Sequence, residues 1–196
     1  MTTVTAVARY QAGLKTEARI VGAARELLGE KGLEGTTLKA ICDRAGIRAG
    51  SFYNLFESKE EVILKVIAEA IAAVDPDPAG ETDTLEELVD AYVAFFLTQS
   101  TLARIYVQIA VTGSVTADGL GVRMLHGHQT RVDRFRAAIR RHDEGVSEDD
   151  ATIRAELLLA VLNGLAFRWS LEPEFELRRH AELALSEAVG GSLPQR

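Results

Sequence analysis

The sequence predicts an all-α protein of about nine helices. Only four of the 196 residues are proline, so long segments can stay helical without interruption. Within these segments, apolar residues recur with a period of about 3.6 rather than about 2, which is the spacing of a helix face. Because 47% of the residues are apolar, the chain can bury a substantial core, which excludes a disordered tail or a disulfide-stapled miniprotein.

The first predicted helices lie close to the N-terminus and end at glycines. Residues 1–13 are predicted to form a short flexible arm. The first helix follows over residues 15–32 and ends on a glycine, which suits the left-handed conformation of a helix end. Thr36 or Thr37 then offers a hydroxyl N-cap to a short second helix, and Gly46 stops it.

A third and a fourth helix complete the N-terminal region. The third fits residues 49–55, and the fourth begins at Ser58 and ends near Val74. Ser58 and Glu61 form a predicted capping box, in which the hydroxyl accepts a hydrogen bond from the amide three residues on. Residues 75–80 contain two prolines and a glycine and are predicted to be a linker. The chain is thereby divided into an arm at residues 1–13, a first domain at 14–58, a connecting helix with its linker at 59–80, and a second domain at 81–196.

Beyond the linker, the sequence predicts five more helices. One starts near Thr84 with its apolar residues on a single face, and a shorter helix follows it. Glycines between residues 113 and 121 interrupt the pattern before the next helix, which ends at the polar turn 141–145. Residues 148–170 are apolar nearly all round, and Pro173 is predicted to occupy the first position of the last helix.

Charge is distributed unevenly along the chain. The 22 basic and 29 acidic residues give a net charge of −7, which argues against a protein coated with basic charge for nucleic acid. Residues 1–56 nevertheless contain eight basic and five acidic residues, whereas residues 57–196 contain 14 and 24. Any contact with nucleic acid is therefore expected in the N-terminal region.

Several classes of protein are excluded by composition. Cys42 is the only cysteine, so an internal disulfide and a cysteine-based zinc site are excluded, which is consistent with a reducing compartment. The longest apolar run, residues 157–162, is far shorter than the roughly 18 residues of a membrane span. No secretory signal is visible near the N-terminus, so we expect a cytoplasmic protein. The sequence predicts no membrane partner, metal site, cofactor or catalytic residue.

The most informative segment lies in the N-terminal region. Two short helices separated by a tight glycine turn, over residues 41–56, have the arrangement of a helix-turn-helix. Small Ala45 and Gly46 allow the two helices to approach closely, while apolar side chains hold their angle. Four polar side chains are left to project outward, where their hydrogen-bonding groups can contact DNA. They are those of Arg48, Ser51, Tyr53 and Asn54.

A dense set of residues in this segment follows the pattern of a known family. The set consists of Thr37, Ile41, Ala45-Gly46-Ile47, Gly50, Phe52-Tyr53, Phe56 and Ser58-Lys59-Glu60, together with Ala23, Leu27 and Gly32 of the preceding helix. With these residues the segment resembles the DNA-binding domain of the TetR family of transcriptional repressors. The resemblance implies that Thr37, Tyr53 and Lys59 contact phosphates. It implies that a second group approaches base edges, consisting of Arg48, Ala49, Gly50 and Ser51. Thr36 and Asn54 complete the predicted DNA-binding residues.

The resemblance also implies functions for the second domain. Its middle helices would enclose a ligand pocket, and its last two would form a four-helix bundle with a second chain. The protein is therefore predicted to be a ligand-responsive regulator, most simply a repressor that binds a palindromic, double-stranded operator as a homodimer. A small-molecule effector would release it from DNA.

Two further sets of residues are assigned from the helix faces. Aromatic and polar groups inside apolar stripes are either satisfied core groups or the lining of a pocket for a small, mainly hydrophobic ligand. The predicted ligand-binding residues are Tyr92, Phe96, Gln99, Tyr106, His128, Asn163 and Trp169. The eighth helix is apolar on two sides and therefore has two partners. The predicted dimer residues are Leu158, Val161, Leu162, Leu165, Leu177, Ala181 and Leu185.

Two other functions remain open at this point. An enzyme would need a site assembled in space within the second domain, because no nucleophile–base–acid arrangement stands out. The glycines at 119 and 121 lack the third glycine of a dinucleotide-binding loop. The second alternative is an all-α module that binds other proteins. The sequence favours the regulator and predicts that the chain is not an enzyme.

Overall fold

The computed structural model describes residues 2–74, 82–113 and 120–190. In these residues the structure contains nine α-helices and no β-strand, which confirms the predicted all-α fold. The chain divides into two compact units, Met1–Ala70 and Ile71–Arg196. The predicted linker at 75–80 and most of the predicted glycine-rich break lie outside the described residues.

Helix α1 spans Thr2–Gly35 and is kinked at Gly32, whose φ of 66° is the left-handed conformation that favours glycine. The predicted left-handed glycine at this position is therefore confirmed, although a short helical turn follows it. The predicted flexible arm differs from the structure, because from residue 2 onward its backbone is helical and continuous with α1. This stretch contains three alanines and no proline. Extending an existing helix costs far less than starting a new one.

Helices α2 and α3 span Leu38–Ala45 and Ala49–Tyr53 and form the predicted helix-turn-helix. Thr37 caps α2, because its Oγ1 accepts a hydrogen bond from the backbone N of Ala40 at 3.1 Å. Gly46 stops α2 with a φ of 62°, as predicted. Helix α3 is two residues shorter than predicted because the chain tightens into a turn there.

Helix α4 spans Lys59–Ala72 and ends two residues before the predicted end. Its capping box has a variant form. The backbone N of Glu61 donates to Oγ of Ser58 at 3.2 Å, as predicted. The carboxylate of Glu61 accepts from the backbone N of Glu57 at 2.7 Å, rather than from that of Ser58. Side chains therefore satisfy the amide of Glu61 in the first turn of α4 and the amide of Glu57 just before the helix.

Apolar side chains from all four helices form the core of the first unit. Those with no exposed surface include Ile20, Ala24, Leu28, Ile41, Phe52, Val62, Ile63 and Val66. Arg19 of α1 reinforces the turn after α2 by donating to the carbonyl oxygens of Ala45 and Gly46. Arg44 of α2 pairs with Glu30 of α1 at 2.8 Å. The helix-turn-helix is thus held by both packing and polar contacts to α1.

Five helices form the second unit. They are α5 to α9, at Leu85–Thr98, Ser100–Gly113, Leu120–His142, Glu148–Leu171 and Leu177–Gly190. Thr84 begins α5 with a complete capping box, in which its hydroxyl accepts from the backbone N of Glu87 and its own N donates to the Glu87 carboxylate. Ser147 caps α8 by accepting from the backbone N of Asp150 at 3.1 Å.

The prediction that Pro173 occupies the first position of the last helix is wrong. Helix α9 begins at Leu177, and Pro173 lies in the turn that follows α8. The backbone N of Phe175 donates to the carbonyl of Glu172 at 3.0 Å, which closes this turn. The fixed φ of proline suits the second position of such a turn as well as it suits a helix start.

The core of the second unit lies among α5, α7, α8 and α9. It includes Leu85, Val89, Val93, Val132, Phe135, Ala155, Leu159, Leu162 and Ala181. Just before α5, the wholly buried carboxylate of Asp83 accepts from Nε and Nη2 of Arg134 at 2.9 and 2.5 Å. Arg141 donates to the carbonyl of Asp83. Two arginines of α7 therefore anchor the start of α5.

Candidate nucleic-acid interface and ligand cavity

The short helix α3 separates an apolar side from an exposed polar side. Phe52 has no exposed surface, whereas the neighbouring Tyr53 is 59% exposed and meets the Phe52 ring edge-on, with the centroids 5.6 Å apart. The other predicted residues on and around α3 are also exposed, namely Arg48, Ala49, Gly50, Ser51 and Asn54. Six of the predicted DNA-binding residues therefore lie together on one surface of a well-anchored helix.

Thr36 does not belong to that surface. Its side chain is wholly buried, and its Oγ1 donates to the carbonyl of Gly32 at 2.7 Å. The structure therefore corrects the prediction, because only Thr37 of the two adjacent threonines is exposed. Lys59 is half-buried, and its Nζ donates to the carbonyl of Thr36 at 3.3 Å and lies 3.7 Å from a carboxylate oxygen of Glu60. Thr36 thus holds the turn between α1 and α2.

Gly50 has no explanation within the chain itself. It lies in the first turn of α3 with an ordinary helical backbone, since Gly32 and Gly46 are the glycines with positive φ among the described residues. No atom would lie within 4 Å of a Cβ added at Gly50. Glycine in a helix costs up to about 1 kcal/mol relative to alanine, and no contact in the described residues offsets this cost at Gly50.

Cys42 lies on the side of α2 that faces the core of the first unit. The residue is buried, and burial raises the pKa of its thiol above the usual value, with the negative charge of Asp43 acting in the same direction. A thiol that is inaccessible and kept protonated reacts slowly. The structure places Cys42 among the packing residues of the first unit.

The second unit contains a cavity of about 590 Å³ among α5, α6, α7 and α8. This volume lies within the roughly 300–1,000 Å³ of sites that bind small molecules. Five of the seven predicted ligand-binding residues line it, namely Tyr92, Phe96, Tyr106, His128 and Asn163. A smaller space of about 80 Å³ adjoins it and shares Tyr92, Phe96 and Tyr106.

The other two predicted residues lie outside the cavity lining. Trp169 packs edge-on against Phe96, with the ring centroids 5.7 Å apart, and lies beneath the guanidinium of Arg104 at 4.7 Å. It therefore supports a cavity wall from behind. Gln99 is the C-cap residue just after α5, and its backbone N donates to the carbonyl of Phe95 at 2.9 Å.

Four polar groups of the cavity form two hydrogen-bonded pairs. The hydroxyl of Tyr92 donates to Oδ1 of Asn163 at 3.0 Å, and burial raises the pKa of the Tyr92 phenol, so it stays protonated. Nη2 of Arg131 donates to the hydroxyl of Tyr106 at 2.5 Å. Sequence reasoning missed Arg131, because an arginine on an amphipathic helix is usually a solvated residue. The one available signal was its spacing of three residues from His128.

The structure corrects most of the predicted dimer residues. Four of the seven are in the core of this chain, each 2% exposed or less, namely Leu158, Leu162, Leu177 and Ala181. Leu165 and Leu185 are partly buried against the same core. Val161, at 48%, is the exposed member of the set. The periodicity of α8 correctly predicted two apolar sides but could not tell which side its own chain covers.

Three of the apolar residues that α8 leaves exposed form a stripe with helical spacing. Ile153, Leu157 and Val161 follow one another at intervals of four residues and are each more than a third exposed. Leu183 is likewise exposed on α9, the helix that packs against α8. Together these four residues give the last two helices an exposed apolar surface.

Two kinds of feature are absent from the described part of the chain. No helix there combines the length and the apolar composition that a bilayer span requires. No group of three or more histidine, cysteine, aspartate or glutamate side chains is arranged there to hold a metal ion.

The chain is similar in sequence to known bacterial regulatory proteins. Residues 20–66 match the domain family described as bacterial regulatory proteins, tetR family. The chain is 28% identical over 188 residues to the HTH-type transcriptional regulator UidR of Escherichia coli strain K12. The match covers 91% of this chain and 93% of UidR. Both proteins are thus alike over nearly their whole lengths.

Solved structures show the same similarity. SmeT, the repressor of the Stenotrophomonas maltophilia multidrug efflux pump SmeDEF, matches with a TM-score of 0.64 and 25% identity over 90% of this chain and 91% of SmeT. The SmeT–triclosan complex matches with a TM-score of 0.63 and 25% identity over 92% of this chain and 98% of that chain. UidR is a transcriptional regulator and SmeT is a repressor, and neither is described as an enzyme.

Proposed function

We propose that the chain is a TetR-family repressor that binds a palindromic operator as a homodimer and is released by a small, mainly apolar ligand. The observation that carries the proposal is the exposed polar surface of α3, held on a core of buried aromatic and aliphatic residues. Such a surface serves no purpose in packing, whereas DNA recognition requires hydrogen-bonding groups on a rigid helix.

The proposed DNA contacts divide into two kinds. Thr37, Tyr53 and Lys59 bind phosphates and thereby position the protein. The Thr37 hydroxyl accepts from the backbone of α2, so its proton is still available to donate to a phosphate oxygen. Arg48 and Ser51 reach base edges in the major groove, and Gly50 allows the backbone of α3 to come close to them.

The proposed dimer forms through the exposed stripe of α8. Ile153, Leu157 and Val161 give one chain an apolar ridge, and a two-fold axis places the same ridge of a second chain against it. Two such chains would present two copies of α3. The operator half-sites are then expected about one helical turn of DNA apart, roughly 34–36 Å, or a little more.

Ligand release is proposed to act through the cavity of the second unit. A ligand that binds better to a conformation with wrongly spaced α3 helices shifts the population away from the DNA-binding form, and only this difference in affinity does so. Helix α4, which joins the two units along the chain, is the segment proposed to transmit the change. SmeT, which resembles this chain, has been captured with triclosan, a precedent for a small ligand in this fold.

Selection of bound sequences from a random pool of double-stranded DNA tests the proposal. We expect an enriched palindrome whose half-sites have the spacing given above. Enrichment of a sequence without two-fold symmetry would contradict the dimer, and no enrichment at all would contradict the repressor.

A further inference from the structure

Arg131 has no acidic partner among the described residues, whereas Arg134 and Arg140 on the same helix do. Arg134 pairs with Asp83 at 2.5 Å, and Arg140 lies 3.7 Å from a carboxylate oxygen of Glu148. In the part of the chain that the structure describes, the hydrogen bond of Arg131 goes to the neutral hydroxyl of Tyr106. Its positive charge is therefore not balanced by a carboxylate in the described residues.

The surroundings of Arg131 make this unbalanced charge unusual. The half-buried guanidinium lines both the cavity of about 590 Å³ and the adjoining smaller space. Most of the other lining residues are aromatic or aliphatic, and none of the described ones is acidic. Placing a cation against apolar surface without a counter-charge is costly, even when part of the side chain remains solvated.

The geometry of the guanidinium indicates what would compensate it. Arginine carries five N–H donors in a planar fork, and one of them is used by Tyr106. The remaining donors suit two oxygens of a single oxyanion group, which neutral hydroxyl or carbonyl groups of a ligand match less well. His128 lies three residues before Arg131 on the same helix and lines the same cavity, where it adds a further donor.

We propose that the ligand of this cavity is an organic anion, in which a mainly apolar body carries one carboxylate or sulfonate group that Arg131 binds. This inference rests on the proposed ligand-responsive function and specifies its chemistry. The apolar body occupies the space among Phe96, Val107 and Phe167. The volume of about 590 Å³ admits a compound with two or three fused or linked rings, as in drug-sized ligands generally.

Two fluorescent probes that share one skeleton test the proposal with the full-length protein. 1-Anilinonaphthalene-8-sulfonate carries a sulfonate, and N-phenyl-1-naphthylamine is the same skeleton without it. For Arg131→Met, we expect binding of the sulfonate to weaken about ten- to a hundredfold, since hydrogen bonds to charged groups contribute that much. Binding of the neutral amine should stay within about twofold. Arg131→Lys keeps the charge but not the fork and should give an intermediate loss.

Arg140→Met is the matched control, because Arg140 lies on the same helix but outside the cavity lining. It should change the binding of neither probe. Equal losses for both probes in Arg131→Met would mean that the substitution merely disturbs the cavity, and the proposal would be wrong. If both probes bind the wild type and neither depends on Arg131, the anion inference fails while the proposed apolar ligand stands. If neither binds, both proposals fail.

Discussion

Replacing Gly50 by alanine separates the requirements of folding from those of DNA binding. The residue has an ordinary helical backbone, and an added Cβ would meet no atom within 4 Å. The substitution therefore introduces no strain, and it removes the entropic cost of glycine. We expect the free energy of unfolding to rise by roughly 0.5–1 kcal/mol, the usual difference between glycine and alanine in a helix.

The affinity of Gly50→Ala for the operator should fall, although its stability rises. If the backbone of α3 approaches DNA at Gly50, a methyl group there displaces the helix from the groove, and a loss of about 1.4 kcal/mol would weaken binding tenfold. Stability is measured by urea unfolding followed by circular dichroism, with the denaturant slope required to stay unchanged. Affinity is measured by fluorescence anisotropy on the selected operator.

Gly29 provides a matched control for this experiment. It is an exposed glycine within α1, and an added Cβ there would also meet nothing within 4 Å. Gly29→Ala should stabilise the protein by a similar amount and leave operator affinity unchanged. The reasoning is refuted if Gly50→Ala binds the operator as tightly as the wild type, because glycine would then have no role in close approach.

Two further predictions concern the second unit. Leu157→Glu combined with Val161→Glu should convert the dimer to a folded monomer in analytical ultracentrifugation, whereas Leu97→Glu, at an exposed apolar site on α5, should leave the dimer intact. A double variant that remained dimeric would exclude this face of α8. Asp83→Ala should lower the free energy of unfolding by about 3 kcal/mol, because it removes the buried carboxylate that pairs with Arg134. A loss below about 1 kcal/mol in urea unfolding would show that this ion pair contributes little.

Features that depend on a few neighbouring residues were predictable from the sequence. Thr36 or Thr37 was predicted to cap α2 and Gly46 to stop it in the left-handed conformation, because each role is determined by local backbone chemistry, and Thr37 and Gly46 take these positions. The exposed position of Tyr53 followed from the same local pattern, since the adjacent Phe52 had to face the core.

Features that depend on how helices are turned toward one another were not predictable. On α8, Leu157 and Leu158 are adjacent in sequence and equally apolar, yet the first is exposed and the second is buried. Only tertiary packing distinguishes them, because successive residues differ by about 100° around a helix. The inward position of Arg131 likewise depends on which face of α7 meets α5 and α6. Pro173 could open a helix or form a turn, and the local sequence permits both.

The measurement that tests the central claim most directly is the affinity of Tyr53→Ala for the selected operator. Tyr53 is 59% exposed and serves no packing role beyond its contact with Phe52, so the variant should keep its thermal stability. Leu97→Ala, an exposed residue of the second unit, serves as the control. We predict that Tyr53→Ala loses most operator binding in fluorescence anisotropy while the control retains it. Wild-type affinity in a folded Tyr53→Ala protein would contradict the assignment of α3 as the DNA-binding surface.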